Sequence, residues 1–196
     1  MLAAMSSPRA REVVLVRHGA TEWSTLGKHT GRTDLPLTEA GLAEARAVAP
    51  LLARWTFAAV LTSPLARAVV TSREAGLEAE PEPDLQEWDY GDCEGRTTLE
   101  IRETDPGWTV WRGPVSGGES IEDVAARADR VIARIAAVDG DIALFSHGHF
   151  LRVLAARWLG LAPTTGASLV LDTGTLSVLG TERDTPAIRL WNGLPR

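Results

Sequence analysis

The chain has 196 residues, 44% of them hydrophobic, and a formal net charge of -6 at pH 7. That length fits one domain spanning 1–196 with a substantial core, and the acidic balance argues against a broad nucleic-acid surface while leaving room for a small basic pocket gathered by the fold. The lone cysteine, Cys93, excludes an intramolecular disulfide and a Cys-based zinc site, and with no signal-peptide core in residues 1–10 and no membrane-length apolar run, a soluble cytoplasmic protein is expected.

Residues 12–16, apolar from Val13 onward and rich in β-branched side chains, predict a strand buried on both faces and ending at Arg17-His18-Gly19. A polar loop follows through Pro36. Thr38 reads as a helix N-cap, with Leu42, Ala45, Ala49 and Leu52 at helical spacing behind it. Residues 58–61 form a second apolar strand. Ser63 as N-cap, with Pro64 at the first helical position, starts a helix that runs to about Glu74, before Gly76. Residues 80–118 are rich in Pro, Gly and Trp and predict irregular structure apart from a short helix near 98–103. Ser120 and Asp123 open a further helix in capping-box style, with Ile121, Val124, Ala128, Val131 and Ile135 as its apolar face. Residues 141–145 form a third strand ending at Ser146-His147-Gly148-His149, and the helix after it carries Leu151, Leu154 and Trp158. Two alternating runs, around 175–179 and 187–191, predict strands at the end or edge of the sheet. The layout is α/β with a largely parallel sheet.

In open parallel sheets, ligands bind outside the carboxyl ends of the strands. Strand one delivers Arg17 and His18 there. The helix after strand two carries Arg67 in its first turn, and strand three delivers His147. Distant segments thus bring two arginines and two of the four histidines to one rim. Arginine forks match phosphate oxygens, and the helix start after Ser63 is expected to add N–H groups and a positive dipole end. A histidine beside such charge is favoured in its neutral, nucleophilic form. Glu87, in the segment 85–91 over the same rim, is the candidate proton donor, since a carboxyl beside a bulky Trp and a phosphate dianion is favoured in its protonated form. Singly, each residue has an ordinary reading: Arg67 as a solvated surface charge, His147 as a core histidine, Glu87 as a salt-bridge partner. Jointly they point to phosphate-ester chemistry with His18 as the nucleophile.

The segments 16–23, 30–38, 63–68, 85–95, 118–120 and 146–149, in that order along nearly the whole chain, resemble the histidine phosphatase superfamily, also called phosphoglycerate-mutase-like. The resemblance implies a three-layer α/β/α sandwich around a mostly parallel central sheet. It implies a phosphorylated His18, with Arg17, Arg67 and His147 around the transferred phosphoryl group. Glu87 would protonate the leaving group and then activate water. The substrate-binding set implied by the resemblance is Ser24, Thr30, Gly31, Tyr90, Gly148 and His149. No cofactor or metal is implied, because the arginines and the second histidine neutralise the charge that a metal would handle. A homodimer is compatible with the family, and no segment shows an interface.

Ser24 stands where many relatives carry Asn. The family's mutases are longer, with extra basic residues after the glutamate segment and a longer tail. A shorter, less covered chain is expected to hydrolyse the phosphohistidine. Closer resemblance is to a subgroup of acid phosphatases and sugar bisphosphatases marked by residues 87–91, Trp108, Trp111-Arg112 and residues 146–150. The expectation is a metal-independent phosphatase acting on a small phosphorylated metabolite, either a phosphomonoester or a sugar bisphosphate. A phosphoglycerate-type mutase and a non-catalytic phospho-ligand-binding protein remain the alternatives. Trp23, Trp88, Trp108 and Trp111 either wall the pocket or pack the irregular segment onto the core. Lys28 and Arg32 either meet a second phosphate or are ordinary surface charges.

Overall fold

The computed structural model describes residues 11–194. Residues 1–10, where no signal-peptide core is expected, lie outside them. Six strands, β1 (Val13–Arg17), β2 (Phe57–Thr62), β3 (Glu80–Pro81), β4 (Asp141–Ser146), β5 (Leu176–Glu182) and β6 (Thr185–Gly193), form one sheet in the order β3-β2-β4-β1-β5-β6. The first four run parallel, and β5 and β6 add an antiparallel edge. The apolar run of β1 is buried on both faces, as its composition requires. Val13 and Leu15 join the core under α5 (Ile121–Ala136) and α6 (Gly148–Trp158). Val14 and Val16 join Val48 and Leu52 of α2 (Glu39–Leu52) and Ala75, which ends α3 (Ala66–Glu74). Strand alternation therefore feeds two cores, and helices cover both sides of the sheet. The mostly parallel α/β/α architecture agrees with the sequence expectation.

Register fixes where the site forms. Arg17 lies opposite Ser146, and Thr62 opposite Phe145. The His18 N–H then donates to the Ser146 carbonyl at 3.0 Å, and the Ser63 N–H to the Phe145 carbonyl at 2.9 Å. The residues that follow three parallel strands, His18, Ser63 and His147, thus emerge side by side.

Three local expectations are corrected. The loop after His18 contains a single-turn helix, α1 (Glu22–Thr25), closed by a reciprocal Thr21–Ser24 capping box and too short to show an apolar period. Helix α3 begins at Ala66 rather than Pro64, and Ser63 does not cap it in the usual way. The Ala66 N–H donates instead to both carboxylate oxygens of Asp34, at 2.9 and 3.0 Å. That helix start already holds an anion, so it does not offer this N–H to a phosphate. Strand β3, only two residues long, had no legible signal.

The irregular segment after β3 holds α4 (Thr98–Arg102) and two short 3-10 turns, Pro83–Leu85 and Gly91–Cys93. Leu85, Trp88, Tyr90, Trp108 and Val110 anchor it to the core under α5 and α6. It therefore forms a cover over the carboxyl ends of β1 and β4. Among the described residues, no helix is long and apolar enough to cross a membrane.

Candidate active site

His18 follows β1 and is 4% exposed. Its Nδ1 lies 2.7 Å from the Gly19 carbonyl. A carbonyl only accepts, so Nδ1 carries the proton and Nε2 keeps its lone pair. Burial, then Arg17 and Arg67, hold the pKa of His18 well below the ordinary histidine value, against the Gly19 bond. The ring is neutral near pH 7, with Nε2 unprotonated. Gly19 passes so close to Gly41 of α2 that a Cβ on Gly19 would meet the Gly41 carbonyl oxygen at 2.2 Å. The two glycines let the helix clamp the turn that aims His18.

His147 is the N-cap of α6 and is fully buried. The Arg67 Nε–H donates to its Nδ1 at 3.1 Å, so the His147 proton sits on Nε2 and points to Ser63 Oγ at 2.8 Å. Burial, then Arg67, lower its pKa well below the ordinary value. The rings of His18 and His147 meet edge-on, with centroids 5.1 Å apart. Arg67, also fully buried, gives its terminal nitrogens to the carbonyls of Thr30, Gly31 and Thr33. It is neither a surface charge nor an open phosphate fork. It ties loop 30–33 to the second histidine, behind the wall of the cavity.

Glu87 lies over the start of α6. Its Oε1 accepts N–H bonds from Trp88 and Phe150, each at 2.9 Å, and its Oε2 accepts one from His149 at 3.1 Å. The chain carrying it is braced from behind by Arg127 of α5. That guanidinium donates to the carbonyls of Asp84, Gln86 and Glu87 and grips the Glu119 carboxylate at 2.7 and 2.8 Å. Glu119 in turn accepts the Asp89 N–H at 2.9 Å. Sequence reasoning missed this clamp. The one available signal was Glu119 within the segment 118–120, which carries no mark of its partner.

These groups open onto a cavity of about 380 Å³. Arg17, His18, Ser24, Thr30, Glu87, Tyr90, Gly148 and His149 line it, whereas Arg67, His147 and Gly31 do not. Gly31 is turned inward, its N–H on Glu94 and its carbonyl on Arg67. The Ser24 hydroxyl is already engaged with the Thr21 main chain. Arg17 donates to the Leu171 carbonyl, yet its buried Nε has no partner. Gly148 makes room for it, since a Cβ there would stand 3.2 Å from the guanidinium carbon. Burial, then Glu87, raise the Tyr90 pKa well above its ordinary value. Its hydroxyl therefore donates to His149 Nδ1, leaving the His149 Nε2–H free to donate. His29, absent from the sequence-derived set, also lines the cavity beside Tyr90, and burial lowers its pKa to about 4. Trp88 and Trp108 are core residues, while Trp111 forms part of the cavity wall. Arg32 pairs with Asp89 on the outer surface, whereas Lys28 lines the cavity. Among the described residues, no group of three or more His, Cys, Asp or Glu is placed to hold a metal ion.

Comparison with known proteins agrees with this fold. Residues 13–193 match the sequence profile of the histidine phosphatase superfamily (branch 1). An acid phosphatase of Mycobacterium tuberculosis is 38% identical over 179 residues, covering 89% of this chain and 88% of its own. A sedoheptulose 1,7-bisphosphatase of Saccharomyces cerevisiae is 35% identical over 182 residues, covering 76% of this chain and 67% of its own. The 2,3-bisphosphoglycerate-dependent phosphoglycerate mutase 2 of Gloeobacter violaceus is 35% identical over 170 residues, 77% of each chain. A solved Mycobacterium tuberculosis structure superposes with a TM-score of 0.92 at 35% identity, covering 96% of this chain and 100% of its own.

Proposed function

The chain belongs to the histidine phosphatase superfamily, and from that premise we propose that it is a phosphatase that hydrolyses a small phosphorylated metabolite through a phosphohistidine on His18. The observation that carries this reading is the proton on His18. With Nδ1–H fixed on the Gly19 carbonyl, Nε2 is an unprotonated nucleophile in the wall of a cavity shared with Arg17 and Glu87.

The reaction takes two steps. His18 Nε2 attacks phosphorus while the phosphorus–oxygen bond to the alcohol breaks. Glu87, entering as the carboxylic acid, gives its proton to the departing oxygen. Arg17, with an unpaired Nε–H, draws off negative charge that builds on the phosphoryl oxygens. Glu87, now a carboxylate, takes a proton from water as that water attacks the phosphohistidine. The phosphorus–nitrogen bond breaks, phosphate leaves, and Nε2 regains its lone pair. His147 and Arg67 act from behind the cavity wall, holding loop 30–33 and the second ring against His18.

Four measurements test the reading. His18→Ala should lower phosphate release by about 10⁴-fold or more, the scale on which loss of a covalent nucleophile acts. Rapid quench of the native protein with an aryl phosphate should trap acid-labile, base-stable phosphate on the chain. Turnover should survive EDTA, and loss of activity there would sink the metal-free mechanism. Transfer between positions of a phosphoglycerate with little free phosphate released would replace hydrolysis with the mutase reaction.

A further inference from the structure

We propose that Asn192 and Asp172 are positioning residues for Arg17: a clamp from the last strand holds loop 170–175, whose Leu171 carbonyl aims the Arg17 guanidinium into the cavity. The proposal rests on the phosphatase reading, in which Arg17 draws charge from the phosphoryl oxygens. Among the described residues, the Arg17 guanidinium makes one hydrogen bond, to the Leu171 carbonyl, and its Nε is buried without a partner. A long side chain with one tether takes its direction from that tether, so the loop decides where the fork points. The same loop holds the main chain beside it. The Arg17 N–H donates to the Thr175 carbonyl, and the Gly174 N–H to the His18 carbonyl, each at 3.2 Å.

Residues 170–175 belong to no helix or strand, so their own position needs an outside support. Strand β6 supplies it through a change of register. Leu176 pairs with Gly193 and Val178 with Leu190, so Trp191 and Asn192 together oppose Ser177. This is a β-bulge, a device that re-aims side chains beside functional sites. Asn192 has a φ of 53°. Among the described residues, the other non-glycine residue with positive φ, Arg183, lies in the turn between β5 and β6. Asparagine tolerates this conformation better than most side chains. Neighbours on a regular strand point to opposite faces, whereas the bulge brings both residues onto one loop. The Trp191 Nε1–H donates to the Val170 carbonyl. The Asn192 amide closes a double bond on Asp172: Oδ1 accepts the Asp172 N–H and Nδ2–H donates to the carboxylate, each at 2.8 Å. The Asn192 N–H donates to Ser177 Oγ at 3.0 Å and fixes the bulge itself. Leu171 is thus gripped on both sides, at 170 and at 172, while its carbonyl faces Arg17. Pairing β6 with β5 needs none of these contacts to the loop.

Calorimetric titration of the whole chain with inorganic phosphate reads the clamp through Arg17. Its dissociation constant, unlike a specific activity, does not move when a fraction of the protein unfolds. Asn192→Gly keeps the positive φ and removes the amide. It should weaken phosphate binding about tenfold, the scale on which a small misplacement of a binding group acts. Asn192→Asp sets two carboxylates against each other and should weaken binding similarly. Adding Asp172→Asn restores an amide–carboxylate pair with the roles exchanged, and should bring the affinity back to within about twofold of native. In an Arg17→Lys background, which already lacks the fork, Asn192→Gly should cost less than about twofold. Native affinity in Asn192→Gly, no recovery in the exchanged pair, or a loss undiminished in the Arg17→Lys background overturns the proposal. Arg17→Lys alone separates the two readings. Should it leave phosphate affinity unchanged, Arg17 drops out of the phosphatase mechanism and the clamp loses its role with it. Should it weaken binding while Asn192→Gly does not, the clamp alone is overturned.

Discussion

The chemistry of this site is decided by protons on single nitrogens. His18 and His147 are both buried imidazoles beside arginine, yet their tautomers are opposite. The Gly19 carbonyl keeps the His18 proton on Nδ1, and the Arg67 Nε–H pushes the His147 proton to Nε2. One ring thereby keeps a bare Nε2, as the proposed nucleophile requires, and the other presents a donor to Ser63. In the proposed mechanism Glu87 is the residue whose proton moves, which makes the effect of its loss depend on the substrate. Glu87→Gln keeps the shape and the acceptor for the Phe150 N–H but has no proton for the leaving group. Turnover of an alkyl phosphate should fall by about 10²–10⁴-fold. An aryl phosphate, whose leaving group departs without help, should still phosphorylate His18. The protein should then stall as the phosphohistidine, because the base for water is missing. Quench-flow with labelled aryl and alkyl phosphates checks this: equal losses in the rate of His18 phosphorylation for both substrates would remove Glu87 from the proton relay. The candidate nucleophile and this acid were legible because each sits in a short segment at the end of a sheet strand or over the rim. The inward turn of Arg67 was not, since nothing in its own segment says that the carbonyls of loop 30–33 fold onto it.

At the level of elements, two contacts aim the reactive groups, and neither is marked by a chemical motif. A glycine inside α2 reads from sequence as a propensity cost of about 1 kcal/mol relative to Ala. Yet a Cβ on Gly41 would stand 2.1 Å from the Ala20 carbonyl oxygen, a backbone atom that cannot swing away. Overpacking of this kind costs about 1–3 kcal/mol, so the clash outweighs the gain in helix propensity. Gly41→Ala should lower both stability and turnover, checked by urea titration and kcat on the same preparation. The second contact is the Arg127–Glu119 clamp under the Glu87 segment. Breaking a largely buried pair by removing one partner costs about 3 kcal/mol. Arg127→Gln should therefore destabilise the fold by that order and lower kcat about tenfold through the misplaced Glu87. A double variant with Glu119→Gln should lose less than the two single variants added, because the pair is already broken. The parallel strands and long helices were readable because burial on both faces writes a continuous apolar run, and one-sided burial writes a 3.6-residue period. The cover over residues 80–118 follows no period. Its order comes from Trp88, Tyr90 and Trp108 packing onto distant helices, and from bonds such as those of Glu94 to Gly31 and Thr33.

For the molecule as a whole, the histidines set a shared dependence on pH. All four, His18, His29, His147 and His149, have lowered pKa values, with burial as the largest cause. In the unfolded chain each titrates near 6.5. Below that pH the unfolded chain takes up protons that the folded chain refuses, so the unfolding free energy falls as pH drops. Above about pH 7.5 both states are neutral at these positions, and the histidines add no slope. Once the unfolded chain is largely protonated, each contributes about 1.4 kcal/mol per pH unit until its folded pKa is reached. For His29 that window closes at about 4, and for the other three it lies well below the ordinary value. The other three histidines, lowered in the same direction, make the fall below pH 6 steeper than His29 alone would. Urea denaturation at pH 8, 7, 6 and 5 should give a plateau above 7 and a steep fall below 6, and His29→Phe should make the fall shallower. A flat profile down to pH 5 would contradict the neutral tautomers on which the proposed role of His18 depends. Inorganic phosphate, binding the folded state at Arg17, should move the fall to lower pH by mass action. Catalysis at acidic pH would then depend on occupancy of the cavity, with substrate holding the fold together at the pH where the empty protein begins to lose it.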